Sequence, residues 1–252
     1  MKKLLVITVM SFLFSMNSFA ADWKSKNKWK ISCGIVDKKS LVINEKPITK
    51  YDKKEFKLES VVFKLDKGQI GSCPTDKKPV DKGKYEYSGR QEITHKLPIG
   101  HTIFETDFIF EGPHSYRSTI FQIHDGRNKG APPSWIGIKD FAGLGKFIHM
   151  FPKGQCSKEN CRMIKKFLYL KQGTKYRLKA DIQYKKKSKH VSIRYYIDNE
   201  LILQHLKVPI ANKKTDGPYG PNKPYIKIGI YRIGDEGTQI YYYNNLKIKN
   251  KK

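Results

Sequence analysis

From residue 58 onward, apolar and aromatic side chains recur at every second position, and no long stretch shows the 3.6-residue period of a helix. The alternation predicts strands over 60–65, 85–94, 102–110, 118–124, 135–139, 146–151, 167–170, 176–184, 191–197, 201–206, 225–232 and 239–248. Turn-forming residues separate them: Asp66-Lys67-Gly68, Glu111-Gly112-Pro113, Asp125-Gly126, Asp198-Asn199 and Gly234-Asp235-Glu236-Gly237. The lysines at 185–187 and Lys189 read as a solvated hairpin tip. The best candidate for a helix, 156–166, is short. There is no internal repeat. A dozen short strands in one unit predict an all-β fold, an antiparallel two-sheet β-jelly roll. One sheet of such a sandwich can curve into a concave groove, which suits an extended polymer.

The first twenty residues break the pattern. Lys2 and Lys3 precede an apolar run from Leu4 to Phe14, and Ser18-Phe19-Ala20 places small residues where a signal peptidase cuts. Residues 1–20 therefore read as a signal peptide, and 21–252 as a single domain, secreted or periplasmic. No later run has the roughly 18 apolar residues of a membrane-spanning helix. Export permits disulfides. The four cysteines allow three pairings, of which Cys156 and Cys161 stapling one loop would leave Cys33 with Cys73. Two structural disulfides are expected and not a zinc site, because the spacing matches no common zinc pattern. No metal site is expected.

The net charge of +27, carried almost wholly by lysine, changes the choice of partner. It is either a solvated surface or a field that gathers a polyanion. Export argues against nucleic acid and leaves an anionic polysaccharide as the expected partner of a monomer.

Three predicted strands carry unusual polar groups. Arg90 and Glu92 share a face of one; Gln122 and His124 share a face of the second; Tyr225, Lys227, Gly229 and Tyr231 share a face of the third. The intervening residues, such as Ile123, Ile226, Ile228 and Ile230, are apolar. Any half-exposed sheet shows this alternation, yet Arg, Gln, His and Tyr are not its usual solvent-facing residues. Gly229 leaves room beside Tyr231 for close approach of a ligand.

These segments, spread over roughly 80–248, resemble the motifs of jelly-roll polysaccharide lyases with a concanavalin-like sandwich. Arg90-x-Glu92, Gln122-Ile123-His124 and Tyr225-x-Lys227-x-Gly229-x-Tyr231 are similar in kind and order to motifs of the alginate lyases of polysaccharide lyase family 7. The ending Gly229-Ile230-Tyr231-Arg232 is closer to heparinase I-like and glucuronan lyase-like proteins. Where the alginate lyase pattern has a second arginine, this chain has Thr94.

The resemblance implies β-elimination on a uronic acid polymer. The C5 proton lies α to a carboxylate, so the developing enediolate needs positive charge or strong donors. Gln122 and Arg90 would neutralise the carboxylate, His124 would take the proton and Tyr231 would protonate the leaving oxygen. In the other stereochemical course Tyr231 would do both. Lys227, Glu92, Tyr225 and Arg232, with Arg127 and Lys129 in the loop after the second strand, are candidates for substrate binding; Glu92 is expected mainly to orient Arg90. No cofactor is required, and a structural calcium ion is left open. His95 is a fallback base. The competing function is a non-catalytic, lectin-like binder of anionic glycans. A glycoside hydrolase fits less well, since no carboxylate pair stands on a motif strand.

Overall fold

The alternation becomes strands because each one buries its apolar side between two sheets. The computed structural model describes residues 24–25, 28–32, 41–47, 57–71, 73, 76, 88–114, 118–125, 132–140, 146–150, 161–163, 168–186, 190–210, 223–233 and 237–251. Its strands are β1 (Lys24–Ser25), β2 (Trp29–Ile31), β3 (Leu41–Ile43), β4 (Lys46–Pro47), β5 (Val61–Leu65), β6 (Ser88–Lys96), β7 (Gly100–Glu111), β8 (Ser118–His124), β9 (Ser134–Asp140), β10 (Lys146–Met150), β11 (Cys161–Met163), β12 (Tyr176–Lys185), β13 (His190–Ile197), β14 (Glu200–Pro209), β15 (Tyr225–Ile233) and β16 (Gln239–Lys251).

They form two antiparallel sheets, a jelly-roll sandwich. The ten-stranded sheet runs β11-β14-β13-β12-β7-β16-β5-β3-β4, with β1 on β16; the six-stranded sheet runs β10-β9-β8-β15-β6-β2. No helix occurs among the described residues. Part of the expected short helix, Cys161–Met163, is instead an edge strand paired with β14. Of the expected strand at 167–170, the described residues retain a single bridge. Asp198 and Asn199, at φ 50° and 67°, make the tight turn between β13 and β14.

The core lies between the sheets. Phe104, Phe108, Tyr241 and Tyr243 from the larger sheet meet Ile93, Phe121, Ile226, Ile228 and Ile230 from the smaller. Phe104 and Phe121 touch across it with ring centroids 5.0 Å apart.

The two sheets differ on their outer faces. In β12 and β13, buried and half-exposed residues alternate, the mark of one wet face. In β6 and β15 nearly every residue is buried on both faces. The outer face of the six-stranded sheet is therefore largely buried along β6 and β15, and the polar motifs sit there.

The expected signal peptide lies outside the described residues, as do Cys33 and Cys156. Cys73 is not a free thiol, and the Cys33–Cys73 and Cys156–Cys161 pairings stay proposals. No helix among the described residues is long and apolar enough to cross a membrane.

Candidate active site

Sheet order brings the three motifs together, because β8, β15 and β6 are consecutive neighbours. The register sets Tyr231 opposite Arg90, Gly229 opposite Glu92, Lys227 between Thr94 and Gln122, and Tyr225 opposite His124. All the groups expected to share a face do so, and they form one network.

Glu92 is its centre. Its carboxylate accepts from Arg90 Nη1 at 3.1 Å, from Lys227 Nζ at 3.2 Å and from the Gln122 side-chain amide. Glu92 and Gln122 are 1% and 2% exposed, so this is a dry cluster in which unmatched charge would be costly. Glu92 thus does more than orient Arg90.

Arg90 has a second carboxylate that the sequence did not point to. Its Nε and Nη2 donate to Asp76 Oδ1 at 3.0 and 2.8 Å. Asp76 is fully buried, and its other oxygen accepts the Cys73 backbone N–H at 3.0 Å. The guanidinium also lies over the Tyr231 ring, 4.1 Å from its centroid. Asp76 lies outside the three motifs, in a lysine-rich stretch of sequence with no periodicity to mark it; only the fold brings it to Arg90.

Charges in the cluster balance: Arg90 and Lys227 against Glu92 and Asp76. Burial pushes the Lys227 ammonium below its usual pKa, and the nearby Arg90 adds to that, while Glu92 opposes it. Burial would also lower Arg90, but Glu92, Tyr231 and Asp76 outweigh it and raise Arg90 further. Burial raises the Asp76 carboxyl against the pull of Arg90.

Gln122 passes orientation on to His124. With its amide nitrogen donating to Glu92, its carbonyl oxygen faces His124 Nε2 at 3.2 Å. That oxygen only accepts, so Nε2 carries the hydrogen and, in the neutral ring, Nδ1 carries the lone pair. Tyr225 stacks on His124, with centroids 4.9 Å apart and planes 3° from parallel. Tyr225 is 4% exposed and serves as the bed of the imidazole. His124 and Tyr231 are the half-exposed members of the network.

The groups form a line rather than a ring. Tyr231 and Tyr225 mark its ends on β15, about 20 Å apart at ~3.3 Å per extended residue. The chain of contacts Tyr231–Arg90–Glu92–Gln122–His124 bridges that span.

Three expectations change. Arg232 is fully buried; its guanidinium donates to the Gly237 carbonyl and to the Asp66 carbonyl at 2.7 Å, so it braces loops and does not face the groove. Gly229 does not make room for a ligand: a Cβ there would lie 2.1 Å from the Gln91 carbonyl oxygen, so the glycine admits the neighbouring strand. His95 points to the core face, 5.1 Å from the Trp29 ring, away from Arg90. Arg127 and Lys129 lie outside the described residues. Trp135, paired with Gln122 on β9, is a neighbour of the network that the sequence reading passed over. Among the described residues, no group of three or more His, Cys, Asp or Glu side chains gathers as a metal site would require.

Fold and network together define a jelly-roll sandwich with a titratable line along one sheet. Its solved structural neighbours include alginate lyases. One is alginate lyase AlgAT5 from polysaccharide lyase family 7, at 14% identity and TM-score 0.50, covering 88% of this chain and 94% of that one. Another is alginate lyase PA1167 from Pseudomonas aeruginosa, at 14% identity and TM-score 0.53, covering 89% and 98%. At this identity the likeness concerns the fold. No family model and no curated protein matches the sequence.

Proposed function

We propose that the protein is a secreted polysaccharide lyase that cleaves an acidic, uronic acid-containing polysaccharide by β-elimination. The observation that carries this reading is the continuous Tyr231–Arg90–Glu92–Gln122–His124 network, closed to water at its centre and open at the imidazole and the phenol. Buried cations and an amide suit carboxylate neutralisation, and the two open groups suit proton transfer.

In the reaction, the substrate carboxylate meets the remaining N–H groups of Arg90, and the buried Gln122 amide adds its dipole from within the cluster. Lys227 adds positive charge beneath it. Tyr231, beside Arg90, takes the C5 proton, because His124, the base expected from the sequence, lies about 20 Å along β15 and does not reach the same C5–O4 pair. The electron pair forms the C4–C5 double bond, the C4–O4 bond breaks, and Tyr231 protonates the departing oxygen.

Tyr231 stands beside Arg90 and far along β15 from His124. Tyr231 would therefore both take the C5 proton and return it to O4. His124 and Gln122 would then meet a uronate further along the polymer.

Glu92 and Asp76 do not make a hydrolase pair: both are buried and tied to Arg90, so neither is open to a glycosidic oxygen or a water.

Incubation of the purified protein with glucuronan, alginate and heparin-like chains tests the reading. The expected result is growing ultraviolet absorbance from 4,5-unsaturated ends on one of these polymers. Binding without such growth would leave the lectin-like alternative and sink the lyase.

A further inference from the structure

The strand that carries Tyr231 is irregular at one place. Ile228 pairs with Phe121 and Tyr231 with Thr119, so three steps along β15 oppose two along β8. On its other side, β8 slips against β9 across the same residue: Phe121 pairs with Ile136 and Thr119 with Gly137. Both slips meet at Ile120. In consequence the consecutive residues Ile120 and Phe121 both enter the core, which regular alternation forbids.

A bulge leaves ladder groups to be satisfied by something else. Here a side chain from the opposite sheet does it. The Tyr243 hydroxyl accepts the Gly229 N–H at 3.3 Å and donates to the Ile120 carbonyl at 2.7 Å. Tyr243 sits on β16 between β5 and β7, fully buried. Phe63 meets its ring edge-on at 5.7 Å, and Phe108 lies 5.1 Å away. Gly229, at φ 130°, presses against the Gln91 carbonyl, so β15 is clamped between β6 and this hydroxyl. Tyr231 is the first residue beyond the irregularity to pair again with β8.

We propose that Tyr243 is a positioning residue: its hydroxyl splices the β8–β15 irregularity and thereby fixes Tyr231 against Arg90. This deepens the lyase reading and rests on it for its catalytic consequence. Burial pushes the Tyr243 phenol well above its usual pKa, so the donor persists through the working pH range.

Tyr243→Phe keeps the ring and removes the splice. Tyr195→Phe is the control, since Tyr195 is equally buried but bonds only to the Ser134 hydroxyl, at 3.0 Å, in the same core. In the full chain, Tyr243→Phe is expected to speed amide exchange at Gly229 by about fivefold or more, the value of one hydrogen bond. It should also shift the Tyr231 ring resonance and lower kcat with little change in KM. Tyr195→Phe should leave all three in place. Equal effects from both variants, or an unmoved Gly229 amide and Tyr231 resonance in Tyr243→Phe, would overturn the proposal. If Tyr243→Phe does not fold, the unaltered protein decides: a slowly exchanging Tyr243 hydroxyl proton with a nuclear Overhauser contact to the Gly229 amide supports the splice, and its absence overturns it. If no polymer is turned over, the lyase reading fails, while the exchange and resonance measurements still judge the splice.

Discussion

The Arg90 guanidinium lies 4.1 Å above the Tyr231 ring while Asp76 and Glu92 hold its nitrogens. Arg90 is thus fixed by carboxylates before any substrate arrives. Preorganisation of this kind avoids reorganisation during reaction. In the proposed reaction it also makes Arg90 a group that orients Tyr231 as well as one that would meet substrate.

Removing Asp76 uncovers that dependence. Asp76→Ala leaves Arg90 buried beside one carboxylate instead of two, and breaking a buried pair costs about 3–5 kcal/mol. Urea unfolding should show a loss of that order. Asp76→Asn, which keeps an acceptor, should lose less stability and still lower kcat, because Arg90 is held less firmly over Tyr231.

Glu92→Gln removes the charge that supports the Lys227 ammonium. Lys227, already depressed by burial, should then deprotonate at lower pH than in the parent protein. Nuclear magnetic resonance of the lysine side chain reads this directly. A Lys227 titration that moves upward would contradict the arrangement.

The same lysine gives a pH dependence of stability. Its folded-state pKa is below the unfolded value of 10.5, so the unfolded chain holds the proton longer as pH rises. The penalty is fully present below the folded pKa and is relieved as pH climbs from there toward 10.5. The parent protein should therefore gain stability relative to Lys227→Met across that alkaline window. Denaturant midpoints taken at several pH values check the sign.

Gly229→Ala meets both a positive φ and the Gln91 carbonyl oxygen 2.1 Å from its new Cβ. Backbone strain and overpacking together predict a loss of roughly 2–5 kcal/mol. An unchanged melting temperature would show that β15 has more room than the structure gives it.

Because an antiparallel sandwich imposes its faces on the chain locally, period-two alternation is enough to read most strands from residue 58 onward, though not β11, which reads as a short helix. Parity also pairs Arg90 with Glu92, Gln122 with His124, and Lys227 with Tyr231 on a face of each strand; the sheet order makes those faces one. What parity does not carry is adjacency. Asp76 reaches Arg90 from a separate segment, and Tyr243 reaches Gly229 from the other sheet. Alternation also does not foresee Ile120, where a bulge sends two consecutive residues into the core, or the carbonyl partners that the buried Arg232 guanidinium finds only in the folded chain. Gly229 was read as space for a ligand; the strand beside it fills that space.

The most direct measurement is the mass of the chain ends released from a uronic acid polymer. β-Elimination predicts new non-reducing ends that carry a double bond and lack one water relative to hydrolysis products, with Tyr231→Phe releasing none. Ends with the mass of hydrolysis products, or full release by Tyr231→Phe, would contradict the account.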